Sequence, residues 1–202
     1  MPKKKTPAES QTGQTVRQRL LARATECFAR KGYASSTVQE IVEAAGVTKP
    51  TLYYYFRNKE GLFLELMQEA WKRFDLILDG ARKETGGVQE RVLLLLDQIF
   101  GLVLDQIEVA RVGYSIYYGP PQGTPFIDFD TFHLKFHDVV KGLVEEGIQK
   151  KEFRKGDSLD MTWAIIGAVN LAIELQIRHP EMGLGRAGLV RIIKLIFKGI
   201  AD

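Results

Sequence analysis

The sequence has little of what enzymes and secreted proteins usually need. One cysteine, Cys27, and three histidines are present among 202 residues. A single cysteine excludes an intrachain disulfide, so nothing favours an oxidising compartment. His133 and His137 have a spacing at which both can face one metal ion, but no third ligand stands at a suitable distance along the chain. The sequence therefore predicts no catalytic residue, no metal site, no cofactor and no enzymatic activity.

Long hydrophobic runs are also missing. The longest one, residues 163–172, contains Asn170 and at about ten residues is too short to cross a bilayer. Lys3, Lys4 and Lys5 are not followed by an apolar segment, so we expect no secretory signal. An apolar fraction of 45% and a charged fraction of 26% are typical of a folded globular protein. We therefore expect a cytoplasmic protein without a membrane partner.

Charge is distributed unevenly along the chain. Residues 1–60 contain eleven Lys and Arg against five Asp and Glu, whereas residues 61–202 contain seventeen against twenty. A basic N-terminal part beside a mildly acidic remainder favours a polyanionic partner at that end of the chain. A solvated charge bias without any partner explains the same composition, and charge alone does not separate the two interpretations.

Periodicity predicts an all-α fold of about nine helices, since no strand alternation or internal repeat is present. Residues 16–31 place their apolar side chains on one helical face, and Gly32 ends that helix. Thr37 and Glu40 have the spacing of a capping box, which begins the second helix. Gly46 supplies a left-handed corner, after which Thr48 is expected to cap a third helix.

The third helix, residues 48–56, is the most informative segment of the chain. Leu52 and Phe56 are expected to point inward, and Pro50 is tolerated in a first helical turn. The three tyrosines that precede Phe56 cannot all be buried, because a helix turns by about 100° per residue. The segment therefore predicts the second helix of a helix-turn-helix, which lies on DNA. The alternative is that the tyrosines pack against a neighbouring helix.

Six further helices are predicted beyond this segment, the first of them capped by Asn58. Three prolines and two glycines predict a loop at residues 119–125. The six helices are expected at about residues 58–78, 88–105, 108–118, 127–150, 159–178 and 184–200.

The last two predicted helices are apolar on more than one side. A helix that is apolar all round must be covered all round, and a second copy of the chain is the obvious second cover. The residues predicted to form this dimer interface are Ile165, Val169, Ile173, Ile177, Leu189, Ile192, Ile193, Ile196 and Phe197.

Residues 37–63 resemble the DNA-binding domain of the TetR (tetracycline-repressor-like) family of bacterial regulators. The resemblance rests on the threonine-capped helix, the corner Ala45-Gly46-Val47, the tyrosine-rich segment 48–56 and the pair Lys59-Glu60. It covers about a quarter of the chain, and the chain length and the helical remainder also fit.

Two positions depart from the family pattern. Pro50 stands where glycine is more usual, and Tyr55 stands where histidine is frequent. The resemblance implies a bacterial cytoplasmic homodimer that represses transcription until a small effector releases it. The polar, non-periodic residues 1–14 predict a disordered basic arm. The resemblance implies a helix-turn-helix DNA-binding domain at residues 15–61 and a ligand-binding and dimerisation domain at residues 62–202.

Roles on double-stranded DNA can be divided by position. Phosphate contacts fix the register of a protein on DNA, whereas contacts to base edges read the sequence. A two-fold dimer is expected to read a roughly palindromic operator. The residues predicted to face the groove are Thr48, Lys49, Pro50, Thr51 and Tyr54, and the predicted phosphate anchors are Thr37, Tyr53, Tyr55 and Lys59.

An effector site is indicated only by aromatic density on both sides of the proline loop, which suits a hydrophobic or aromatic ligand. Aromatic residues at helical spacing also form ordinary cores, so core and pocket both stay open. Asn170 and Glu174 add polar groups on an apolar helix and need partners. The predicted ligand-binding residues are Tyr114, Tyr117, Tyr118, Phe129, Phe132, His133, Phe136, Asn170 and Glu174.

The effector is expected to wedge between the middle helices and to shift the helix at residues 58–78, which moves the two DNA-binding heads out of register. An architectural DNA-binding protein without an effector is the main alternative. A helical interaction module that never meets DNA is a further one, but it leaves the outward tyrosines and the basic N-terminal part unexplained.

Overall fold

The computed structural model of the chain describes residues 15–200, and the predicted basic arm at residues 1–14 lies outside them. The described residues are all-helical, as the sequence predicts. The helices are α1 (Val16–Ser35), α2 (Val38–Ala45), α3 (Lys49–Phe56), α4 (Lys59–Lys83), α5 (Val88–Asp105), α6 (Ile107–Tyr117), α7 (Phe129–Gln149), α8 (Ser158–Arg178) and α9 (Gly185–Ile200), with a short 3₁₀ turn at Pro180–Met182.

Most predicted helix ends lie within two residues of the observed ones, but α4 is longer than expected. It continues past Leu78 to Lys83 because Leu78 and Ala81 extend its buried stripe. Arg82 also pairs with Asp79 one turn earlier, at 3.3 Å. In the sequence, the polar residues after Leu78 are typical of a helix end, which explains the shorter prediction.

The chain divides into two compact units. Among the described residues, the first unit contains those up to Met67 together with Val112–Pro125, and the second contains Gln68–Arg111 and those from Phe126 onward. The predicted domain boundary after residue 61 and the observed end at Met67 both lie within α4. The segment Val112–Pro125 is distant in sequence but belongs to the first unit. The predicted boundaries place it instead in the ligand-binding and dimerisation domain.

The core of the first unit is aromatic. Phe28 and Tyr33 of α1 and Phe63 of α4 are buried, with ring centroids 5.0 to 5.9 Å apart. Such pairs add about 0.5–1.5 kcal/mol each beyond the burial of their area. Leu20 of α1 and Ile41 of α2 are fully buried, and these two helices pack against each other. This core determines how the short helices α2 and α3 are held.

The second unit is built from α5, α7, α8 and α9, which pack against one another. The turn after α7 reaches back to α5, where the Glu152 carboxylate accepts hydrogen bonds from the backbone N–H groups of Val88 and Gln89 at 2.6 and 3.2 Å. Phe153, in the same turn, is fully buried against Phe197 of α9, with ring centroids 5.3 Å apart. A side chain from a distant turn therefore caps α5, which has Gly87 at its own N-cap.

Helix α8 is by length and composition apolar enough to cross a membrane, as the core helix of a soluble protein also is. Length and composition alone do not distinguish the two. Within the second unit, α8 contacts α5, α7 and α9.

Candidate nucleic-acid interface

The α2–α3 corner is built as the sequence predicts. Thr37 Oγ1 accepts a hydrogen bond from Glu40 N at 3.3 Å, and the Glu40 carboxylate accepts one from Thr37 N at 2.9 Å, which completes the capping box. Gly46 adopts the left-handed conformation, with φ 64°. Val47 N then donates to Val42 O at 2.9 Å and closes the corner.

Helix α3 buries one side only. Leu52 and Phe56 are 0% and 3% exposed, which confirms the inward pair. Pro50 lies in the first turn, as predicted. Thr48 occupies the N-cap position, but its hydroxyl lies 3.1 Å from the Thr51 hydroxyl and makes no capping bond to the backbone. The predicted side-chain cap is therefore corrected, because the Thr48 hydroxyl is engaged by a side chain of its own helix.

The opposite side of α3 presents tyrosine to solvent. Tyr54 is 81% exposed, and Tyr53 and Tyr55 are 45% and 40% exposed. The Tyr54 and Tyr55 rings meet edge to face, with centroids 5.0 Å apart. Packing against a neighbouring helix therefore does not account for Tyr54. Lys49 and Pro50 are exposed beside it, and Thr51 is half-buried.

The turn from α3 to α4 displays a cation that the sequence interpretation missed. Arg57 is exposed and has φ 64°, a conformation that side chains rarely adopt. The turn is held on its far side by Asn58, whose Oδ1 accepts from Gly61 N at 2.7 Å and confirms the predicted cap. A side chain at position 61 would collide with the Phe56 carbonyl. The sequence feature that could have identified Arg57 is its position, as a basic residue directly after the tyrosine-rich helix.

Lys59 is engaged inside the protein. Its ammonium donates to Tyr33 O at 2.9 Å and to Ser36 O at 3.0 Å, and it lies 4.1 Å from the centroid of the Tyr33 ring. Burial lowers the pKa of this lysine. Two of its three N–H donors are thus used on the end of α1, and the residue predicted as a phosphate anchor has a clear structural role.

The charge around the capping box favours the ionised form of the Glu40 carboxyl group. Lys31 pairs with the Glu40 carboxylate from the side of α1. That hydrogen bond, followed by those from Thr37, lowers the pKa of Glu40 to about 2. Glu40 is therefore a carboxylate at neutral pH and supports the end of α2 from which Thr37 is displayed.

The predicted ligand-binding residues fall into separate groups. In the first unit, the Tyr114 and Tyr118 rings are 4.9 Å apart, and the Tyr117 and Tyr118 rings are 4.7 Å apart. In the second unit, Phe132 stacks on Phe74 of α4 at 4.3 Å.

The other two predicted phenylalanines of α7 pack on α4 in the same way. Phe136 meets Phe74 at 6.0 Å, and Phe129 meets Trp71 at 5.9 Å. Only Phe136 is buried, whereas Trp71, Phe74 and Phe129 are half-buried. The α7 phenylalanines therefore take part in helix packing, and their partners on α4 were not predicted.

The polar members of the predicted ligand set lie on helix surfaces. His133 Nδ1 is 2.9 Å from Phe129 O within α7. Glu174 is exposed and lies 3.9 Å from Arg178 one turn later, so the buried polar pair expected on α8 is not formed. Asn170 is half-buried. Across residues 15–200, no group of three or more His, Cys, Asp and Glu side chains is placed to hold a metal ion.

The predicted dimer residues are mostly inside the chain's own core. Six of the nine are buried, while Ile177, Ile192 and Ile196 are half-buried. The structure corrects the assignment because the most apolar stripe of each terminal helix covers its own chain. The buried six are Ile165, Val169, Ile173, Leu189, Ile193 and Phe197.

Exposed apolar residues of the terminal helices form a different set. On α8, Leu159, Trp163 and Leu171 are exposed and follow one another at spacings of a helical face. On α9, Leu195 is exposed at 68%. The sequence does not single out these positions. In the structure they are accessible to a partner molecule.

A three-helix head with a buried inner face and an outward tyrosine-rich helix defines the helix-turn-helix class of proteins. Residues 20–66 match the family described as "Bacterial regulatory proteins, tetR family". The match covers the N-terminal head and the start of α4, so the similarity to this family of regulators is shown for that part of the chain.

Two relatives of known sequence are named as regulators. The uncharacterized HTH-type transcriptional regulator YdgC of Bacillus subtilis is 32% identical over 52% of this chain and 55% of its own length. The chain thus spans about half of that relative. The fatty acid metabolism regulator protein of Bacillus subtilis is 25% identical over 80% of this chain and 84% of its own length.

Solved structures show the same fold. FadR from Bacillus subtilis, a transcriptional regulator solved in complex with stearoyl-CoA, matches with a TM-score of 0.66. It is 21% identical, and the match covers 90% of this chain and 98% of that one. At this identity the similarity concerns the fold.

Proposed function

We propose that the protein is a sequence-specific DNA-binding regulator, most simply a repressor, which binds a palindromic operator as a homodimer in the cytoplasm. The observation that carries the proposal is the two-sided recognition helix. Leu52 and Phe56 fix α3 from within, while Tyr54 stands 81% exposed on its outer face. A rigid helix that displays hydroxyl and ammonium groups suits the major groove of DNA.

Base readout is assigned to the exposed start and outer face of α3. Lys49 can donate to guanine acceptors, and the ring of Pro50 or the methyl group of Thr51 can meet a thymine methyl. Tyr54 lies on the same face. Thr48 contributes through its hydroxyl, which already contacts Thr51.

Phosphate contacts are assigned to the surrounding residues. Thr37 lies at the start of α2, where helix N–H groups favour an anion, and Tyr53 and Tyr55 flank the reading face. Arg57 joins this set because its exposed guanidinium directly follows α3. Lys59 contributes at most its remaining N–H, since two are used within the head.

We assign the contact with the second protomer of the homodimer to the outer face of α8. Leu159, Trp163 and Leu171 are exposed there, together with the acidic Asp160 and Glu174. A face of this kind favours an apolar and basic partner.

The chain itself carries such a partner surface on α9. Arg191, Lys194 and Lys198 are exposed on that helix beside Leu195. We infer that α8 of one protomer meets α9 of the other, which pairs unlike charges around an apolar centre and sets the spacing of the two heads.

A hydrophobic effector is proposed on two grounds. The chain has half-buried aromatic side chains on α4 and α7, among them Trp71, Phe74 and Phe132. A relative is named as a fatty acid metabolism regulator, and a protein of the same fold was solved with stearoyl-CoA. A long-chain acyl-CoA is therefore the first effector class to test, with release of the operator as its expected effect.

The proposal is tested by selecting binding sites from a random duplex DNA pool with the purified protein. A palindromic consensus is expected, bound about 10³-fold or more tightly than bulk DNA, with half-sites about one helical turn apart or slightly more. The salt dependence of the winning site is recorded in parallel. Weak, salt-sensitive binding to every sequence would instead support an architectural DNA-binding protein.

A further inference from the structure

The end of α1 is held by a residue far along the chain. Gly32 interrupts α1 with φ 81° and ψ 165°, a conformation essentially restricted to glycine. Just after the interruption, Tyr33 N donates a hydrogen bond to Gln122 Oε1 at 2.9 Å. A Cβ atom on Gly32 would lie 2.6 Å from that same oxygen, so the missing side chain makes room for the glutamine.

The other end of the Gln122 carboxamide is bound to α6. Its Nε2 donates to Ser115 O at 3.2 Å and lies 3.4 Å from Ser115 Oγ. Gly119 leaves this carbonyl accessible, since a side chain there would collide with it. One carboxamide therefore bridges the interruption of α1 and the last turns of α6, and all of these residues belong to the first unit.

Chain connectivity gives this bridge a direction. The segment Val112–Pro125 lies in the first unit, but its neighbours Arg111 and Phe126 belong to the second. Helix α6 crosses that boundary as one continuous helix, Ile107–Tyr117. A change that displaces α6 is therefore carried to Ser115 and from there to Gln122.

The corner that receives the bridge positions the reading helices. Ser36 Oγ donates to Gly32 O at 2.8 Å, and Lys59 donates to the carbonyls of Tyr33 and Ser36 at 2.9 and 3.0 Å. Thr37, the cap of α2, follows immediately. Gln122 reaches this corner from outside α1 to α4.

We propose that Gln122 is a positioning residue that couples α6 to the α1–α2 corner, so that operator affinity responds to the effector through this carboxamide. The inference rests on the proposed function and deepens it. The sequence alone predicts that the coupling runs through the helix at residues 58–78, which corresponds to α4. The bridge adds a second connection, which enters the head at the end of α1.

Two substitutions separate the halves of the bridge. Gln122→Met keeps the length of the side chain and removes both hydrogen bonds. Gln122→Glu keeps an acceptor for Tyr33 N but cannot donate to Ser115 O. Gln98→Met, on the exposed face of α5, is the matched control for the change in side-chain type. Thermal unfolding of each variant establishes that it is folded.

Amide hydrogen exchange reads the bond at α1 directly. We expect exchange at Tyr33 to become about ten-fold faster or more in Gln122→Met, and to stay at the wild-type rate in Gln122→Glu and Gln98→Met. The N–H of Tyr118 closes the last turn of α6. In the wild type, adding operator DNA should also change the exchange rate at Tyr118. By reciprocity this change should be absent in both Gln122 variants.

Operator binding measures the coupling between the effector and the DNA-binding head. The dissociation constant is measured with and without stearoyl-CoA, and the ratio of the two values is compared among variants. We expect the ratio to fall toward one in both Gln122 variants and to keep its wild-type value in Gln98→Met. A wild-type ratio and a wild-type Tyr118 response in Gln122→Glu would overturn the inference and leave Gln122 as a cap of α1.

The proposed function fails in a different way. A wild-type protein that selects no operator, or whose operator complex ignores every acyl-CoA, contradicts the proposed function. A wild-type protein that responds, beside Gln122 variants that respond equally, contradicts only the inference.

Discussion

At the scale of single residues, α3 shows how one short helix serves two purposes. Leu52 is fully buried and holds the helix, whereas Tyr54, two residues later, is almost fully exposed. A helix turns by about 100° per residue, which places the two side chains on nearly opposite sides. Substitutions at these positions should therefore affect different properties of the protein.

Tyr54→Ala should weaken operator binding by about ten-fold or more, because a good base contact contributes about 1–3 kcal/mol. The melting temperature should stay close to that of the wild type, since exposed substitutions usually change stability by less than about 0.5 kcal/mol. Fluorescence anisotropy with the selected operator and thermal unfolding measure the two effects.

Tyr54→Phe and Leu52→Ala serve as the controls for this experiment. The first separates the hydroxyl from the ring. The second should lower the stability of the head by about 2–5 kcal/mol, because it opens a cavity in the core. A collapse of stability in Tyr54→Ala would show that the tyrosine supports the fold and would remove it from the interface.

Lys59→Met distinguishes a structural lysine from a phosphate anchor. The ammonium is bound to Tyr33 O and Ser36 O, so its loss should lower the melting temperature. The slope of log affinity against log salt should stay unchanged, whereas the loss of a phosphate contact reduces that slope by about one. Arg57→Met, at an exposed position assigned to phosphate, is the matched comparison and should reduce the slope, whereas a reduced slope in Lys59→Met would restore Lys59 as an anchor.

At the scale of elements, α2 depends on charge at its first turn. The Glu40 carboxylate accepts from Thr37 N and pairs with Lys31. Its pKa is lowered from its usual value to about 2, mainly by the hydrogen bond from Lys31. A carboxyl group with a lower pKa in the folded than in the unfolded state stabilises the fold above its unfolded pKa. That stabilisation is lost as the pH falls toward the folded value.

Glu40→Gln should therefore be less stable than the wild type at neutral pH, and the difference should shrink below about pH 4.5. Thermal or urea unfolding of both proteins from about pH 7 down to about pH 3 measures this. Glu43→Gln, at the other end of the same helix, controls for the general effect of removing a carboxylate. A difference that is constant with pH would mean that the ionised Glu40 is not what supports α2.

At the scale of the whole molecule, the two heads must be held by a second copy. Trp163→Asp should give a monomer, because it places a charge in the centre of the proposed α8 face. Sedimentation measures the mass, and operator affinity should fall in parallel since each head then binds alone. Leu76→Asp, at an exposed leucine of α4, is the control and should stay dimeric. A dimeric Trp163→Asp would place the interface elsewhere.

Effector binding should protect the fold against heat. A ligand at 100 times its dissociation constant stabilises a protein by about 2.7 kcal/mol. With stearoyl-CoA as the probe, we expect this protection to be lost in Phe132→Ala or in Phe74→Ala, whose rings stack on each other. Leu134→Ala, an exposed position on α7, should retain it. Unchanged protection in the first two variants would move the site away from the aromatic groups.

The sequence predicted the features that depend on near neighbours. The capping box of Thr37 and Glu40, the left-handed Gly46 and the cap by Asn58 involve partners within three or four residues, so their spacing is visible in the sequence. The two-sided character of α3 follows from helical periodicity alone. The family resemblance rests on these same short-range features.

The tertiary structure decided what depends on distant partners. Lys59 resembles a phosphate anchor until the carbonyls at the end of α1 are seen to accept from it. The apolar stripe of α8 resembles a dimer interface, but Ile165 and Val169 cover the chain's own core, whereas Trp163 is exposed. Gln122 has no distinguishing sequence neighbours, and only folding brings it to Tyr33. Local spacing fixes helices and caps, whereas burial and long-range hydrogen bonds follow from how those helices pack.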